Sequence, residues 1–312
     1  MTHKTVTNLQ TVKQTHGGGF LVRKVIGGSI SSCDPFIMLD HIGPVDYKPG
    51  EAVGAPDHPH RGIEIISYII DGSLTHEDSA GNKGVLEKGW VQMMTAGQGV
   101  VHAEMPADEI VENGGRMEGF QLWINLPAKE KMIDPQYEDI PPEKIPVITM
   151  DGGRATAKLI AGEIEGKVSV KQTRIPILFL DILLEPGATF TSEVIENHAC
   201  FIYVWRGSGF LGEDCKPASI GQVGLLSTSG KKVTIKASED QSCNALLIAG
   251  EPIMEPVVGY GPFVMNTEEE IQQAILDYQN GVLGSIPGEA ERMHKTKLAQ
   301  ALQKKNNTWA DR

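Results

Sequence analysis

An all-β fold is predicted, and three observations predict it. Glycine is abundant, 35 of 312 residues, and falls between short runs of Val, Ile, Leu, Phe and Tyr, the pattern of strands joined by hairpins. Two such blocks recur later in the chain, in the same order and at nearly the same spacing. Only one segment, near the C-terminus, carries a full set of helix signals.

In chain order, residues 63–70 are dense in β-branched side chains and stop at Asp71-Gly72, while residues 90–94 follow Lys88-Gly89 and stop at Gly97. Between them, residues 78–84 (DSAGNKG) supply hairpin turn chemistry. Strands at this spacing favour a sandwich or barrel over a parallel α/β sheet. Residues 68–73 (YIIDGS) are matched by 203–208 (YVWRGS), and 88–97 (KGWVQMMTAG) by 220–230 (IGQVGLLSTSG), at offsets of 132 to 135. This reads as a duplicated β-domain. The proline-rich stretch 127–146 reads as a connection. Thr267 and Glu270 form a capping box, Ile271, Ala274, Ile275 and Tyr278 line one helix face, and Asn280-Gly281 ends it. After it the apolar positions Met293, Leu298 and Leu302 are too sparse for a packed helix, so the tail 282–312 is read as a loose helix or as disordered.

The net charge of −12 argues against direct binding to a phosphate backbone, which draws on clusters of Lys and Arg. Cys33, Cys200, Cys215 and Cys243 show no C-x-x-C spacing, so neither a disulfide framework nor a zinc ribbon is suggested. No apolar run approaches the roughly 20 residues of a membrane span, and residues 1–10 lack the apolar core of a secretory signal. No membrane association is expected. A cytoplasmic location follows by default, with a nuclear one open if the source is eukaryotic.

Four of nine histidines, His58, His60, His76 and His102, lie between residues 58 and 102. Pro59 biases His58 toward an extended backbone, and residues two apart on a strand share a face, so the pair His58 and His60 aims both imidazoles at one point. His102 and Glu104 repeat that geometry. Facing each other inside a small barrel, these segments bring together three imidazoles and one carboxylate, a set suited to a redox-active first-row ion, Fe(II) above all. Glu64 is a rival carboxylate, sharing the face of His58 and His60 only if the strand stays regular through Arg61 and Gly62. His76 is read as a surface residue beside a hairpin.

The runs at residues 57–62 (DHPHRG), 94–97 (MTAG), 102–106 (HAEMP), 120–126 (FQLWINL), 249–252 (AGEP) and 261–267 (GPFVMNT) resemble, in that order, the pirin family of bicupins. The resemblance covers roughly residues 17–281. It implies an all-β bicupin: an N-terminal cupin barrel over residues 1–130 holding the metal, a connecting segment 131–165, a C-terminal barrel 166–255 without metal, and a C-terminal segment and helix 256–281 docked on the barrels. It further implies one Fe(II) per chain on the residues matching His58, His60, His102 and Glu104. In the second half the matching positions carry Glu193, Ile195, Thr234 and Lys236, which offer no convergent ligand set.

The family likeness to cupin quercetinases implies a quercetin (flavonol) 2,3-dioxygenase using mononuclear Fe(II) and dioxygen on a flavonol-like substrate. Glu104 then serves in turn as metal ligand and catalytic proton acceptor. Arg61, beside the metal strand, is assigned to attract the anionic substrate, with a solvated surface charge as the alternative. The resemblance also implies a second class of function: a transcription coregulator whose iron oxidation state controls affinity for a protein partner.

Overall fold

The computed structural model describes residues 2–17 and 20–306. The strands that position the site are β1 (Val6–Thr11), β2 (Phe36–Tyr47), β3 (Ala55–His60), β4 (Ile63–Asp71), β5 (Leu74–Asp78), β6 (Lys83–Leu86), β7 (Val91–Thr95), β8 (Val100–Pro106), β9 (Gly115–Asn125) and β10 (Gln136–Ile140). Further along come β11 (Ile177–Leu184), β12 (Ala199–Leu211), β13 (Gln222–Leu226), β14 (Cys243–Gly250) and β15 (Phe263–Met265). The α-helices are α1 (Asp108–Asn113), α2 (Glu268–Gln279) and α3 (Glu289–Lys305). Among the described residues no helix is long and apolar enough to cross a membrane.

The chain forms two compact units. In the N-terminal one, a sheet running β10-β7-β4-β9-β2 and onward is joined by a four-stranded sheet ordered β3-β8-β5-β6. β4 is buried over its first seven residues, most of them apolar, because it is central, with β7 on one side and β9 on the other. The C-terminal unit repeats the plan: β12 lies between β13 and β14, and β14 in turn pairs with β11. Its core includes Leu180, Ile182, Phe190, Ile202, Val204 and Leu247. The repeated sequence blocks are therefore the same central strands of two barrels.

The boundaries differ from those expected. Residues 2–13 and 24–38 belong to the C-terminal unit with 141–253, and residues 254–306 belong to the N-terminal one. The reason lies in strand pairing: β1 is antiparallel to β13, with Leu9 opposite Gly224. Alternation along a strand says which face is buried but not which strand is its neighbour. The expected connecting segment also dissolves into structure, since β10 pairs with β7 and residues 155–161 pair with β11.

α2 starts on its capping box: Glu270 N–H donates to Thr267 Oγ1 at 3.2 Å, and Thr267 N–H donates to Glu270 Oε2 at 3.0 Å. Its Ile271 and Ala274 pack with Val101 and Ala103 of β8 and with Phe263 and Met265 of β15. Of the two readings of the tail, a loose helix or disorder, the helix holds over Glu289–Lys305 as α3. Polar groups anchor it where the apolar face is thin: Gln303 Nε2 donates to the Glu51 carbonyl at 2.8 Å and Asn306 Nδ2 to Glu51 Oε1 at 2.6 Å.

Two features fix the end of the β3 strand. Gly62 has φ +81°, and a Cβ there would meet the Val264 carbonyl oxygen at 2.0 Å, so only glycine lets β15 approach. The Lys131 ammonium, 1 % exposed, donates to Gly62 O, Asn125 Oδ1 and Val264 O at 3.0, 2.7 and 2.8 Å. Its three protons thus meet three acceptors.

Candidate metal centre

β3 and β8 are antiparallel neighbours, with His102 opposite His58 and Val100 opposite His60. Alternation then sends all three imidazoles to one side. The rings of His58 and His102 lie 4.3 Å apart between centroids, and those of His60 and His102 lie 4.8 Å apart. One nitrogen from each of the three falls within 4.8 Å of the others, a group able to hold a metal ion.

The protonation pattern suits that role. His58 Nδ1 donates to the Pro56 carbonyl at 2.8 Å, and since a carbonyl only accepts, this leaves the lone pair on Nε2. Burial, with His58 close by, holds His60 well below the ordinary histidine range. Burial and the neighbouring His58, His60 and His76 do the same to His102. Neutral imidazoles keep a lone pair to offer. Both ring nitrogens of His102 and Nδ1 of His60 are buried without a hydrogen-bond partner. Such orphaned groups are rare because each forfeits its hydration for nothing, and a metal ion would satisfy one nitrogen on each ring.

The two carboxylates are placed differently. Glu104 stands outside the three-histidine group. Ser67 Oγ donates to its Oε1 at 3.2 Å and Gln121 Nε2 to its Oε2 at 3.0 Å. Trp123 Nε1–H donates to Gln121 Oε1 at 3.2 Å, which orients the amide so that its NH2 faces Glu104. Trp123 also meets His60 edge to face, with 4.9 Å between ring centroids. Glu64 follows the break at Arg61 and Gly62, sits on β4, and accepts from Thr95 Oγ1 at 3.0 Å.

The chain matches the family profile of pirin over residues 19–124 and that of the pirin C-terminal cupin domain over residues 179–284. It belongs to the pirin family. It is 40% identical to human pirin over 90% of this chain and 94% of the human protein. A pirin-like protein of tomato, Solanum lycopersicum, is 41% identical over 87% of this chain and 89% of its own length. Among solved structures, a quercetin 2,3-dioxygenase from Acinetobacter baumannii superposes with a TM-score of 0.84 at 35% identity, covering 91% of this chain and 99% of that one.

Two of the histidine-region expectations change in the structure. His76, read as a surface residue, is fully buried: its ring stacks on Tyr137 at 4.6 Å and lies 5.2 Å from His102. Its Nε2 makes a long 3.5 Å contact with Asp78, whose carboxylate also takes bonds from Asn82 and Ala80 that close the hairpin. Arg61, expected to draw in substrate or to be solvated, is 3 % exposed. It pairs with Asp277 of α2 at 2.8 Å and donates from Nε to the Gln98 carbonyl at 2.6 Å, so it fastens the helix to the metal strand.

Ser67, Gln121 and Trp123 escaped the sequence reading. Their signal was there: Ser67 and Gln121 are polar residues directly opposite each other in the apolar strands β4 and β9. They line a cavity of about 50 Å³ with Glu104, Phe120, Leu74 and Ile42. His58 and Glu104 are part-exposed while His60 and His102 are buried, so the cluster is approached from the side of His58 and Glu104.

Proposed function

We propose that this pirin-family protein is a flavonol 2,3-dioxygenase acting on quercetin-like substrates with one Fe(II) per chain, held by His58, His60 and His102 with Glu104 as the fourth ligand. The observation that carries the metal assignment is the convergence of three imidazoles at one point, two of them buried with unpartnered nitrogens. The structural likeness to a quercetin 2,3-dioxygenase supports the activity. Nitrogen and carboxylate donors suit a first-row ion that changes oxidation state. When bound, ferrous iron supplies an electron to share with dioxygen and a positive charge to hold a deprotonated flavonol hydroxyl.

The chain's own residues do the rest. Ser67 and Gln121 hold the Glu104 carboxylate in one orientation, ready to accept the flavonol hydroxyl proton. Trp123 packs edge to face on His60, and Phe120 and Leu74 give the cavity beside Glu104 apolar walls. The 50 Å³ cavity beside Glu104 accommodates a diatomic ligand but not a flavonol, whose rings must lie at the mouth or displace its side chains.

The test is oxygen uptake on adding quercetin to protein reconstituted anaerobically with Fe(II). Uptake should match quercetin loss in the wild type and vanish in His58→Ala/His60→Ala; a wild type that consumes no oxygen ends the enzymatic reading. Glu104→Gln should weaken Fe(II) binding by at least about tenfold, with Glu64→Gln within about threefold of wild type by the same metal titration. The reverse ranking would give the carboxylate role to Glu64.

A further inference from the structure

Asp57 directly precedes the first metal-site histidine, and its side chain is only 4 % exposed. Arg292 of α3, 235 residues further along, meets it with two arms of the guanidinium fork. Nε donates to Oδ1 at 2.6 Å and Nη2 to Oδ2 at 2.8 Å. The same group donates to the carbonyls of Pro287 at 2.8 Å and Ile286 at 3.1 Å, and reaches Glu77 Oε2 at 3.4 Å. A planar fork held on both sides fixes the carboxylate in orientation as well as charge.

The place it grips is the irregular part of β3. His102 is opposite His58 but Glu104 is opposite Ala55, so Pro56 and Asp57 together face the single residue Ala103. This is a β-bulge, which bends its strand and re-aims the neighbouring side chain while the ladder there is interrupted. The carbonyl that orients the His58 ring belongs to Pro56, inside the bulge. A cavity of about 500 Å³ lined by Ala103, Met105, Leu302 and Arg292 lies beside this contact, so the polar clamp stands at the edge of the α3 packing.

We infer that Arg292 is a positioning residue for the metal centre: by clamping Asp57, the C-terminal helix sets the bulge that aims His58 Nε2 at the site. The inference rests on the metal reading of the three histidines. Its test is titration of the full chain with Co(II), followed by visible absorption and by thermal melting. The proteins are wild type, Arg292→Lys, Asp57→Asn and Asp57→Asn/Arg292→Gln. Lysine keeps the charge and loses the fork, so Arg292→Lys should bind Co(II) at least about tenfold more weakly, with a shifted ligand-field spectrum. The double variant leaves no unpaired buried charge at this contact, so it should melt above Asp57→Asn yet remain weak for Co(II). A residue that only held the fold together would recover melting and affinity in step. Each variant is judged against its own melting curve, so one that fails to fold leaves the others to decide. Arg292→Lys or the folded double variant with wild-type affinity and spectrum overturns the clamp while the metal reading stands. A wild type that binds no Co(II) overturns both.

Discussion

Replacing His58 and His102 together by alanine is expected to lower bound iron from one ion per chain to below about a tenth, measured by metal analysis after desalting. Two of the three nitrogens in the only such group among the described residues are then gone. In wild-type protein, free Fe(II) at a hundred times its Kd should stabilise the fold by about 2.7 kcal/mol, and the variant should show no such shift. The metal-free variant has a further signature. Both nitrogens of His102 are buried without partners, so deleting that ring removes a desolvation penalty that offsets part of the packing lost. Its metal-free stability should therefore fall by only about 1 kcal/mol, less than the 2–5 kcal/mol usual for emptying a core position. Two ions per wild-type chain, or iron kept by the variant, would contradict the single-site reading.

The largest effect on stability is expected at Lys131. Lys131→Met fills the space but leaves Gly62 O, Asn125 Oδ1 and Val264 O without their donor. Three buried acceptors at about 1–3 kcal/mol each put the loss near 3 kcal/mol or more at pH 7.5, readable by urea denaturation. The pH dependence is distinctive. Burial pushes the ammonium down to about 8 from its ordinary 10.5, with Glu270 and Glu255 pulling the other way. Between those two values the unfolded chain holds a proton the folded chain has released, so this residue's contribution to stability rises with pH across that window and is smallest below pH 8. The gap between wild type and Lys131→Met should widen from pH 7.5 to pH 9.5. A constant or narrowing gap would mean that the three acceptors outweigh burial.

How much of this could be read in the sequence depends on whether the signal is local. The doublets His58 with His60 and His102 with Glu104 were legible because alternation is a property of one strand, and the three imidazoles do meet. Glu104 stands two residues from His102 on the same regular strand, but the partners of its carboxylate, Ser67 and Gln121, come from β4 and β9 and are not named by alternation along one strand. The capping box of α2 was legible for the same reason as the doublets, being contained in four residues. α3 was legible only as one of two readings: it is held by Arg292, Gln303 and Asn306 reaching residues in the first 80 of the chain, and hydrophobic periodicity does not register polar anchors. Arg61 and His76 show the same limit. A charged or titratable residue beside a turn looks solvated until its partners, Asp277 and Tyr137, arrive from elsewhere.

The pairing of β1 with β13 bears on how the chain is made. Lys4, beside β1, donates its ammonium protons to the Ser227 carbonyl 223 residues away. At about 5–20 residues per second, a ribosome needs roughly 10 to 45 s to deliver the partner after β1 has emerged. For that interval the strand waits with its backbone unpaired, the condition that recruits foreign strands. Its sequence is fitted to the wait: Thr7, Asn8, Gln10 and Thr11 make it mostly polar, far from the apolar segments that stack into aggregates. A Leu or Val at Asn8, exposed in the finished fold, would change little once β13 is in place and much during the seconds before.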